Sequence, residues 1–483
     1  MQEINLVWIK RDIRSQDHAA LDAAEKSGSP YLIIYLFEPE MIAYKDASLR
    51  HLQFQYQSVI ALNNVLKNVK RQVEIIYGDA LTVFEYLMSK FKINTVFSYQ
   101  ESGTLITYHR DILVEELFKA NNICWKQFQR DGILRAIKNR NGWTEKWDEV
   151  MESSVIENRY ERDFNISFKN EFPIPQRLID SIKKYKSVMQ PGGEINAWRY
   201  LHSFIGERGK NYSRHISKPS ESRQSCGRIS PYLSWGNISI RQAYQFVKYS
   251  KFAQENKRAA QNFLTRLHWH CHFIQKFEMA VEYEFTCLNK VYENLVLPKN
   301  ATFIKAWENG QTGYPLVDAS MICLRETGWI NFRMRAMLVS FFCHHLMQDW
   351  RYGVYHLAKL FLDYEPGIHY PQFQMQAGTT GVNTIRIYNP IKQSKEQDPE
   401  GVFIKKWLPA LDGLTPISIH EPWLMSLEEQ KMYNVFIGKD YPLPIINYED
   451  TGRIARELFW SYRKSPSIRE ENRQIINKHI IPK

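Results

Sequence analysis

The chain has 483 residues, of which 44% are hydrophobic and 14% aromatic, and it carries a net charge of +11. This length predicts two or three domains, and the apolar content excludes an intrinsically disordered chain. The positive charge favours a polyanionic partner, most simply nucleic acid, but composition alone fits a basic protein without such a partner equally well.

Residues 1–130 alternate short apolar runs with amphipathic stretches. This pattern predicts a parallel sheet with helices on both faces, a Rossmann-like α/β domain. No GxGxxG motif follows the first strand, so the dinucleotide-binding fingerprint is absent. The predicted strands are Asn5–Trp8, Tyr31–Phe37, Val73–Tyr77, Thr95–Tyr99 and Ile123–Phe128. The predicted helices are Ala19–Ser27, Leu49–Val69, Leu81–Lys92 and Tyr108–Ala120.

The turn after the first strand, Trp8–Leu21, is unusually charged, with Lys10, Arg11, Arg14, Asp12 and Asp17. Charged loops at the carboxyl end of a parallel strand either bind ligands or solvate the sheet edge. Physical chemistry alone favours a salt-bridged loop here.

Residues 131–193 lack a clear period and contain several glycines and prolines, which predicts an interdomain connector. A helical pattern begins within Pro191–Ile205 and continues through residues 194–483, with few strand signals. A helical domain of this size can enclose a cofactor between its helices.

The N-terminal residues, the length of the apolar runs and the cysteine spacing all indicate an intracellular protein. No run reaches the roughly 18 consecutive apolar residues of a membrane span, and Met1–Asp12 lacks the apolar core of a signal peptide. None of the six cysteines belongs to a CxxC pair, which is typical of reduced thiols. We therefore expect a cytoplasmic protein without a membrane anchor.

The segment Ser225–Ser239 predicts a capped helix, with Ser230 as N-cap and Pro231 in the first turn. Free backbone N–H groups at such a helix start bind phosphate, and Arg228 would neutralise its charge. An ordinary capped helix without a ligand remains the alternative.

The segment Arg266–Glu278 has the histidine spacing of some metal sites. His268 and His272 share one helix face, while His270 points elsewhere. No HExxH motif and no acidic third ligand accompany them, so we predict no metal.

The C-terminal half places tryptophans, arginines and carboxylates in a helical frame. It resembles the flavin-binding half of the photolyase/cryptochrome family, whose members use blue light absorbed by FAD. The turn Trp8–Leu21 is similar to that family's opening motif, and the resemblance extends from about Asn5 to Arg463. The segments that carry it are Thr327–Arg335, Asp349–Gly353, Phe361–Glu365, Arg386–Pro390 and Gly401–Leu411.

The resemblance implies an antenna-type α/β domain followed by an all-α FAD-binding domain. It assigns the FAD diphosphate to a loop in which Cys226-Gly227 replaces the usual Thr-Ser pair. The residues assigned to this loop are Tyr212, Cys226, Gly227, Arg228, Ile229 and Ser230.

The resemblance also implies an Arg335–Asp363 salt bridge over the flavin, where a positive group stabilises the reduced ring. Glu365 stands at a second acidic position that meets the flavin. His369 replaces the usual asparagine opposite the flavin N5 atom. Because histidine titrates near neutral pH, His369 either protonates or hydrogen-bonds the flavin, or serves as a neutral spacer.

A DNA-binding mouth is the third implication. Trp269 matches a tryptophan that flanks a flipped lesion, and stacking on it needs no base-specific hydrogen bond. Three positions depart from the photolyase pattern, with Arg266 for a glutamate, Phe332 for an asparagine and Met375 for an aromatic residue. Where six-four photolyases carry two catalytic histidines, this chain has Phe332 and Ala336, which cannot shuttle protons. Basic residues that would line the mouth and contact phosphates are Arg266, Arg333 and Lys392.

The electron route of the family is interrupted in this sequence. Trp350 matches the middle of three tryptophans, but Phe373 and Leu297 occupy the flavin-proximal and surface positions. Phenylalanine is much harder to oxidise, so Tyr370, Tyr388 or another tryptophan is needed as a substitute.

Two functions remain open. The first is an enzyme of the deoxyribodipyrimidine photo-lyase type, a carbon–carbon lyase that repairs pyrimidine photoproducts in DNA. The second is a cryptochrome-like photoreceptor, and a weaker third is a DNA-binding flavoprotein without photochemistry. The chain is expected to be a monomer. An antenna pigment of unidentified kind remains open, with Ser98–Asp111 as its predicted location.

Overall fold

One parallel sheet forms the centre of the N-terminal region in this computed structural model, which describes residues 1–164 and 166–480. The strand order is β3-β2-β1-β4-β5, and every pair of neighbours is parallel. This arrangement confirms the predicted α/β fold class. The strands are β1 (Gln2–Ile9), β2 (Tyr31–Phe37), β3 (Val73–Tyr77), β4 (Phe91–Tyr99) and β5 (Cys124–Phe128).

Helices cover both faces of the sheet. Alternate side chains of β1 enter two separate cores, with Val7 on one face and Trp8 on the other. The helices up to residue 193 are α1 (Ala19–Ser27), α2 (Pro39–Ala43), α3 (Leu49–Leu66), α4 (Ala80–Lys90), α5 (Leu105–Ala120), α6 (Trp143–Glu152) and α7 (Gln176–Lys183).

Two features differ from the sequence-based prediction. Strand β4 begins at Phe91, inside the predicted helix, because Phe91 and Ile93 are buried while Lys92 and Asn94 are exposed, a period of two. The predicted connector contains helix α6, whose buried face has the helical spacing Trp143, Trp147 and Met151. Gly132 and Gly142, which precede α6, are typical of a loop and outweigh this short helical period in the sequence pattern.

The remaining chain is helical, as predicted. Helix α14 (Lys257–Glu278) packs directly against α19 (Pro366–Ala377). The absence of a side chain at Gly367 allows this approach, since a Cβ there would lie 2.8 Å from Ile274 Cα. The helices are α8 (Glu194–Gly206), α9 (Tyr212–His215), α10 (Ser222–Ser225), α11 (Ser230–Ser234), α12 (Ile240–Lys248), α13 (Lys251–Glu255), α14 (Lys257–Glu278), α15 (Ala301–Asn309), α16 (Pro315–Thr327), α17 (Phe332–Ser340), α18 (Arg351–Leu360), α19 (Pro366–Ala377), α20 (Pro390–Gln397), α21 (Val402–Trp407), α22 (Leu427–Tyr433), α23 (Tyr448–Arg463) and α24 (Pro466–His479). Across residues 1–164 and 166–480, no helix is both long and apolar enough to cross a bilayer.

Arginines of the N-terminal region bond to the helical region. Arg50 on α3 donates to the carbonyl oxygens of Leu360 at 2.6 Å and Arg325 at 2.9 Å. These carbonyls lie at the C-terminal ends of α18 and α16, where the helix dipole is negative. The Arg11 guanidinium lies 4.5 Å from the centre of the Trp235 ring. The two regions are therefore joined by directional polar contacts as well as by apolar packing.

Buried histidines lie at several helix contacts. His51 and His345 each bond to a backbone carbonyl, at 2.8 Å and 2.9 Å, and His344 bonds to another at 3.2 Å. Burial lowers the pKa to about 3 for His51 and His344 and to about 4 for His345. All three rings are therefore neutral at neutral pH.

These histidines predict acid lability. The unfolded chain takes up protons near pH 6.5 and the folded chain only near pH 3–4, so stability is lost as pH falls below about 6.5. We expect the denaturation midpoint to fall steeply between pH 6.5 and 4. Replacing one buried histidine, His344→Gln, reduces the slope of the unfolding free energy against pH by up to about 1.4 kcal/mol per pH unit. The exposed control His109→Gln keeps the wild-type slope, and an unchanged slope in His344→Gln would contradict the prediction.

Candidate functional site

An ion pair between a half-buried arginine and a buried aspartate marks the centre of the site. Arg335 on α17 donates from Nη2 to both carboxylate oxygens of Asp363, at 2.6 Å and 2.7 Å. Its guanidinium lies 3.8 Å from the centre of the Phe361 ring, and the Asn331 side chain caps α17 by accepting from the Met334 N–H. The cap and the aromatic contact restrict the direction of the Arg335 side chain. The structure thus brings together two residues that the sequence assigns to one site.

Glu365 connects the same loop to the N-terminal region. Its fully buried carboxylate accepts a hydrogen bond from Arg130 Nη2 at 2.9 Å, and Arg11 lies 3.7 Å away. Both arginines belong to the first 130 residues. Glu365 is therefore engaged within the protein through Oε2, while Oε1 has no hydrogen-bond partner among the described residues.

His270 is a site residue that the sequence interpretation missed. Its Nε2 atom is buried and, within the described part of the chain, has no hydrogen-bond partner. Burial lowers the pKa of His270, opposed by the nearby Glu365 carboxylate, so the ring is neutral. Leaving a buried polar atom unpaired costs about 1–3 kcal/mol. Two such atoms, on His270 and Glu365, fit a site that is completed by a polar ligand such as FAD.

The predicted phosphate loop is held by an arginine that the sequence interpretation also missed. Arg208 donates to the carbonyl oxygen of Cys226 at 2.6 Å and reaches that of Gly227 at 3.4 Å. Helix α11 begins at Ser230 with Ile229 as N-cap, so the assignment of Ser230 as N-cap is wrong by one residue. Ile229 offers no side-chain acceptor, which leaves the first N–H groups without a side-chain cap.

Arg228 is less free than the sequence suggested. Its guanidinium bonds to Gln190 Oε1 at 2.8 Å and lies 4.1 Å from the centre of the Trp329 ring. Burial, followed by repulsion from Arg223, lowers its pKa to about 10, which still leaves it charged. Its φ of 57° is left-handed, a conformation that costs about 1 kcal/mol or more outside glycine. Among the other loop residues, Tyr212 packs edge-on against Phe204.

The ring of His369 has a defined orientation. Its Nε2 atom lies 2.8 Å from the carbonyl oxygen of Val354, so Nε2 carries the proton. Burial lowers the pKa of His369 to about 4, partly offset by that bond. The ring is therefore neutral near neutral pH, with its Nε2 proton donated to the carbonyl oxygen of Val354.

A basic and aromatic patch lies on the surface one helical turn from Arg335. Phe332 is 38% exposed, with the guanidinium of Arg266 at 5.1 Å and that of Arg333 at 5.3 Å from its ring centre. Trp269, one turn after Arg266 on α14, is 43% exposed. Met375 on α19 is half-buried. The structure therefore gives these positions the exposure that contact with a macromolecule requires.

The histidines of α14 pack among aromatic rings. His268 lies between Trp147 and Trp143, with ring centres 4.8 Å and 5.1 Å apart. His272 lies against Trp143 and Trp269. In residues 1–164 and 166–480, no group of three or more histidine, cysteine, aspartate or glutamate side chains is placed to hold a metal ion.

Trp350 is buried beside Phe373, which occupies the flavin-proximal position of the expected electron route. Its ring centre lies 6.5 Å from that of Phe373, and its Nε1 donates to Cys287 Sγ at 3.4 Å. Leu297 packs against the same core as a partly buried aliphatic residue. Neither Phe373 nor Leu297 is readily oxidised, so the tertiary structure does not repair the interruption in this route.

Two protein-family models match the chain. One describes DNA photolyase and matches residues 5–142, and the other describes the FAD binding domain of DNA photolyase and matches residues 263–461. Together they cover more than half of the chain. The second match contains the Arg335–Asp363 pair, Glu365 and His270.

Curated proteins and solved structures resemble nearly the whole chain. A deoxyribodipyrimidine photo-lyase of Alkalihalophilus pseudofirmus is 28% identical over 94% of this chain and 98% of its own length. A cryptochrome DASH of Synechocystis is also 28% identical, over 94% and 97%.

Among solved structures, a Synechocystis cryptochrome superposes with a TM-score of 0.85 at 25% identity, covering 95% of this chain and 99% of the other. An archaeal photolyase from Sulfolobus tokodaii, solved with two FAD molecules, superposes with a TM-score of 0.80 at 25% identity over 95% and 100%. The family models, the relatives and the common fold agree: the chain belongs to the photolyase/cryptochrome family, and its helical region contains that family's FAD-binding domain.

Proposed function

We propose that this protein is a DNA photolyase that repairs pyrimidine photoproducts. The observation that carries the proposal is the exposed patch of Trp269, Phe332, Arg266 and Arg333, one helical turn from the Arg335–Asp363 pair. Such a patch combines arginine side chains that bind phosphate with aromatic rings on which a flipped base can stack.

FAD would be held by residues of the helical region. When bound and reduced, FAD supplies the electron that opens the carbon–carbon bonds of a pyrimidine dimer under blue light. Arg335 would stabilise negative charge, and its bond to Asp363 keeps it in place. His270 Nε2 and Glu365 Oε1 are unpaired in the described residues and would bond to polar atoms of the cofactor.

DNA would be bound mainly through its phosphates. Arg266 and Arg333 already flank Phe332, and Lys392 on α20 would extend the positive surface. Phe332 and Met375 replace the polar and aromatic lesion contacts of the photolyase pattern, which supports apolar contact with the lesion rather than base-specific hydrogen bonds.

A cryptochrome-like photoreceptor is the second candidate. It is favoured by the same substitutions at Phe332 and Met375, and by Phe373 and Leu297 on the electron route. The names of the relatives include both photo-lyase and cryptochrome.

An antenna pigment would occupy the cavity between the two regions. The cavity measures about 140 Å³ and lies at the carboxyl ends of β1, β2 and β4, where the strand order reverses. Glu101, Thr104 and Arg110 of the predicted antenna segment line it. Since ligand pockets usually measure about 300–1,000 Å³, binding a pigment there requires side chains to move.

Replacing Asp363 tests the cofactor site. Asp363→Asn leaves Arg335 without its counter-charge and removes a charged hydrogen bond that contributes about 1.5–3 kcal/mol. We therefore expect a tenfold or greater loss of FAD affinity. Affinity is measured by equilibrium titration of the apoprotein with FAD. The control Asp349→Asn breaks a comparable bond to Arg351 and should keep wild-type affinity. Wild-type affinity in Asp363→Asn would contradict the assigned position.

Repair is tested with an oligonucleotide that contains a cyclobutane dimer. With FAD fully reduced, blue light should restore the intact pyrimidines, measured by chromatography of the digested oligonucleotide. If no lesion is lost, the protein is not a photolyase for that lesion, and the photoreceptor is favoured.

Stacking on Trp269 is tested by binding of the same oligonucleotide. Trp269→Ala should weaken binding by about 5- to 150-fold, because a stacked base contributes about 1–3 kcal/mol. Trp460→Ala is the matched control, since Trp460 is 42% exposed on α23. Equal loss in both variants would contradict a specific role for Trp269.

A further inference from the structure

Aromatic rings lead away from the Arg335–Asp363 pair in a direction that differs from the route through Trp350. Arg335 contacts the Phe361 ring, whose centre lies 6.1 Å from that of His369. The His369 ring centre lies 5.4 Å from that of Tyr364 and 5.6 Å from that of Tyr370. Unlike Phe373, these two rings are oxidisable phenols.

Tyr364 is bonded to a carboxylate of the other region. It lies between Asp363 and Glu365 in the chain, is 4% exposed, and donates its hydroxyl hydrogen to Asp46 Oδ2. Asp46 precedes α3 in the N-terminal region and is 7% exposed. The neighbouring Tyr370 is buried as well, but among the described residues no carboxylate accepts a hydrogen bond from its hydroxyl.

A proton acceptor decides whether a buried tyrosine is a usable electron donor. A phenol with a pKa near 10 keeps its proton at neutral pH, and an oxidised phenol that cannot release it would place a charge in a dry site. Burial raises the pKa of Asp46, which makes its carboxylate a stronger base, and burial also raises that of Tyr364, so the proton starts on the phenol. The hydrogen bond already defines where the proton goes.

We propose that Tyr364 and Asp46 form a redox-active pair that supplies an electron to FAD. The inference rests on the proposed function, because it requires FAD beside Asp363. Oxidised FAD excited by blue light is a one-electron oxidant. Tyr364 gives up one electron and its O–H bond breaks as the proton moves to Asp46 Oδ2, which leaves a neutral tyrosyl radical and a protonated carboxyl.

The pair is restored by a thiol in solution. A thiolate returns one electron, Asp46 returns the proton to the phenolate oxygen, and two thiyl radicals combine to a disulfide. The surface is reached through Tyr370 and Tyr355, whose ring centres lie 6.5 Å apart. Tyr355 is half-buried, so its ring is accessible to a small reductant.

A purely structural role for the bond is the alternative, since it joins the two regions of the chain. Tyr31 provides a control of the same burial: it is also 4% exposed and donates at 2.5 Å to Glu25, which like Asp46 is 7% exposed, although Arg71 bonds to both partners. Tyr31 lies at the start of β2, at the sheet edge opposite the interdomain cavity. A buried tyrosine–carboxylate bond is thus common to both pairs, and only Tyr364 adjoins the Arg335–Asp363 site.

The experiment compares the FAD-loaded wild type with Tyr364→Phe, Asp46→Asn and Tyr31→Phe. FAD content is measured first. Light-induced radicals are then recorded by electron paramagnetic resonance with ring-deuterated tyrosine, and carboxyl protonation by light-minus-dark infrared difference spectra. We expect a tyrosyl radical and a protonated-carboxyl band in the wild type and in Tyr31→Phe. Tyr364→Phe should lose both signals, Asp46→Asn should lose the band, and both should slow photoreduction by thiol at least tenfold.

The outcomes separate this inference from the proposed function. Failure of the wild type to bind FAD would overturn both. FAD binding with a tyrosyl radical that persists in Tyr364→Phe, or with a carboxyl band that persists in Asp46→Asn, would overturn the inference alone. If Tyr364→Phe does not fold, the inference is still tested by the loss of the carboxyl band in Asp46→Asn and by the deuterium sensitivity of the radical in the wild type.

Discussion

The buried contact of Glu365 with Arg130 and Arg11 is the interaction on which the site depends. Glu365 belongs to the loop that also carries Asp363 and Tyr364, whereas both arginines come from the N-terminal region. Removing one partner of a buried ion pair costs about 3–5 kcal/mol, more than a typical surface pair contributes. The position of this loop is therefore coupled to the docking of the α/β domain, and the candidate site is a property of both domains.

Charge in the site is arranged so that few groups titrate near neutral pH. His270 and His369 are neutral because burial lowers the pKa of each, and Arg335 is paired with Asp363. This leaves hydrogen bonding and a fixed positive charge as the chemistry that the residues offer, which suits a cofactor that itself carries out electron transfer. In the proposed electron transfer the proton moves between Tyr364 and Asp46, which are directly hydrogen-bonded and lie outside the ion pair.

Local patterns in the sequence predicted most elements but misjudged some boundaries. The period of two in Phe91–Asn94 is too short to stand out from the helical pattern before it, so the predicted helix Leu81–Lys92 extends over the first two residues of β4. Ser230 has the residue type of an N-cap, yet the chain turns into the helix one residue earlier, at Ile229. Arg228 was expected to be free for a phosphate, but tertiary packing places it between Gln190 and Trp329. In each case a non-local contact or a competing period outweighed the local preference.

The sequence by itself determined the fold class, the family and the cofactor, because strand and helix periods recur along the chain and the motif spacing is redundant. Only the tertiary structure decided which groups meet. Glu365 and Arg130 are 235 residues apart, and Tyr364 and Asp46 are 318 residues apart. No local period carries information about such pairs, since they form only when the two domains pack. The unpaired atoms of His270 and Glu365, and the carboxylate that would accept a proton from Tyr364, are consequences of that packing.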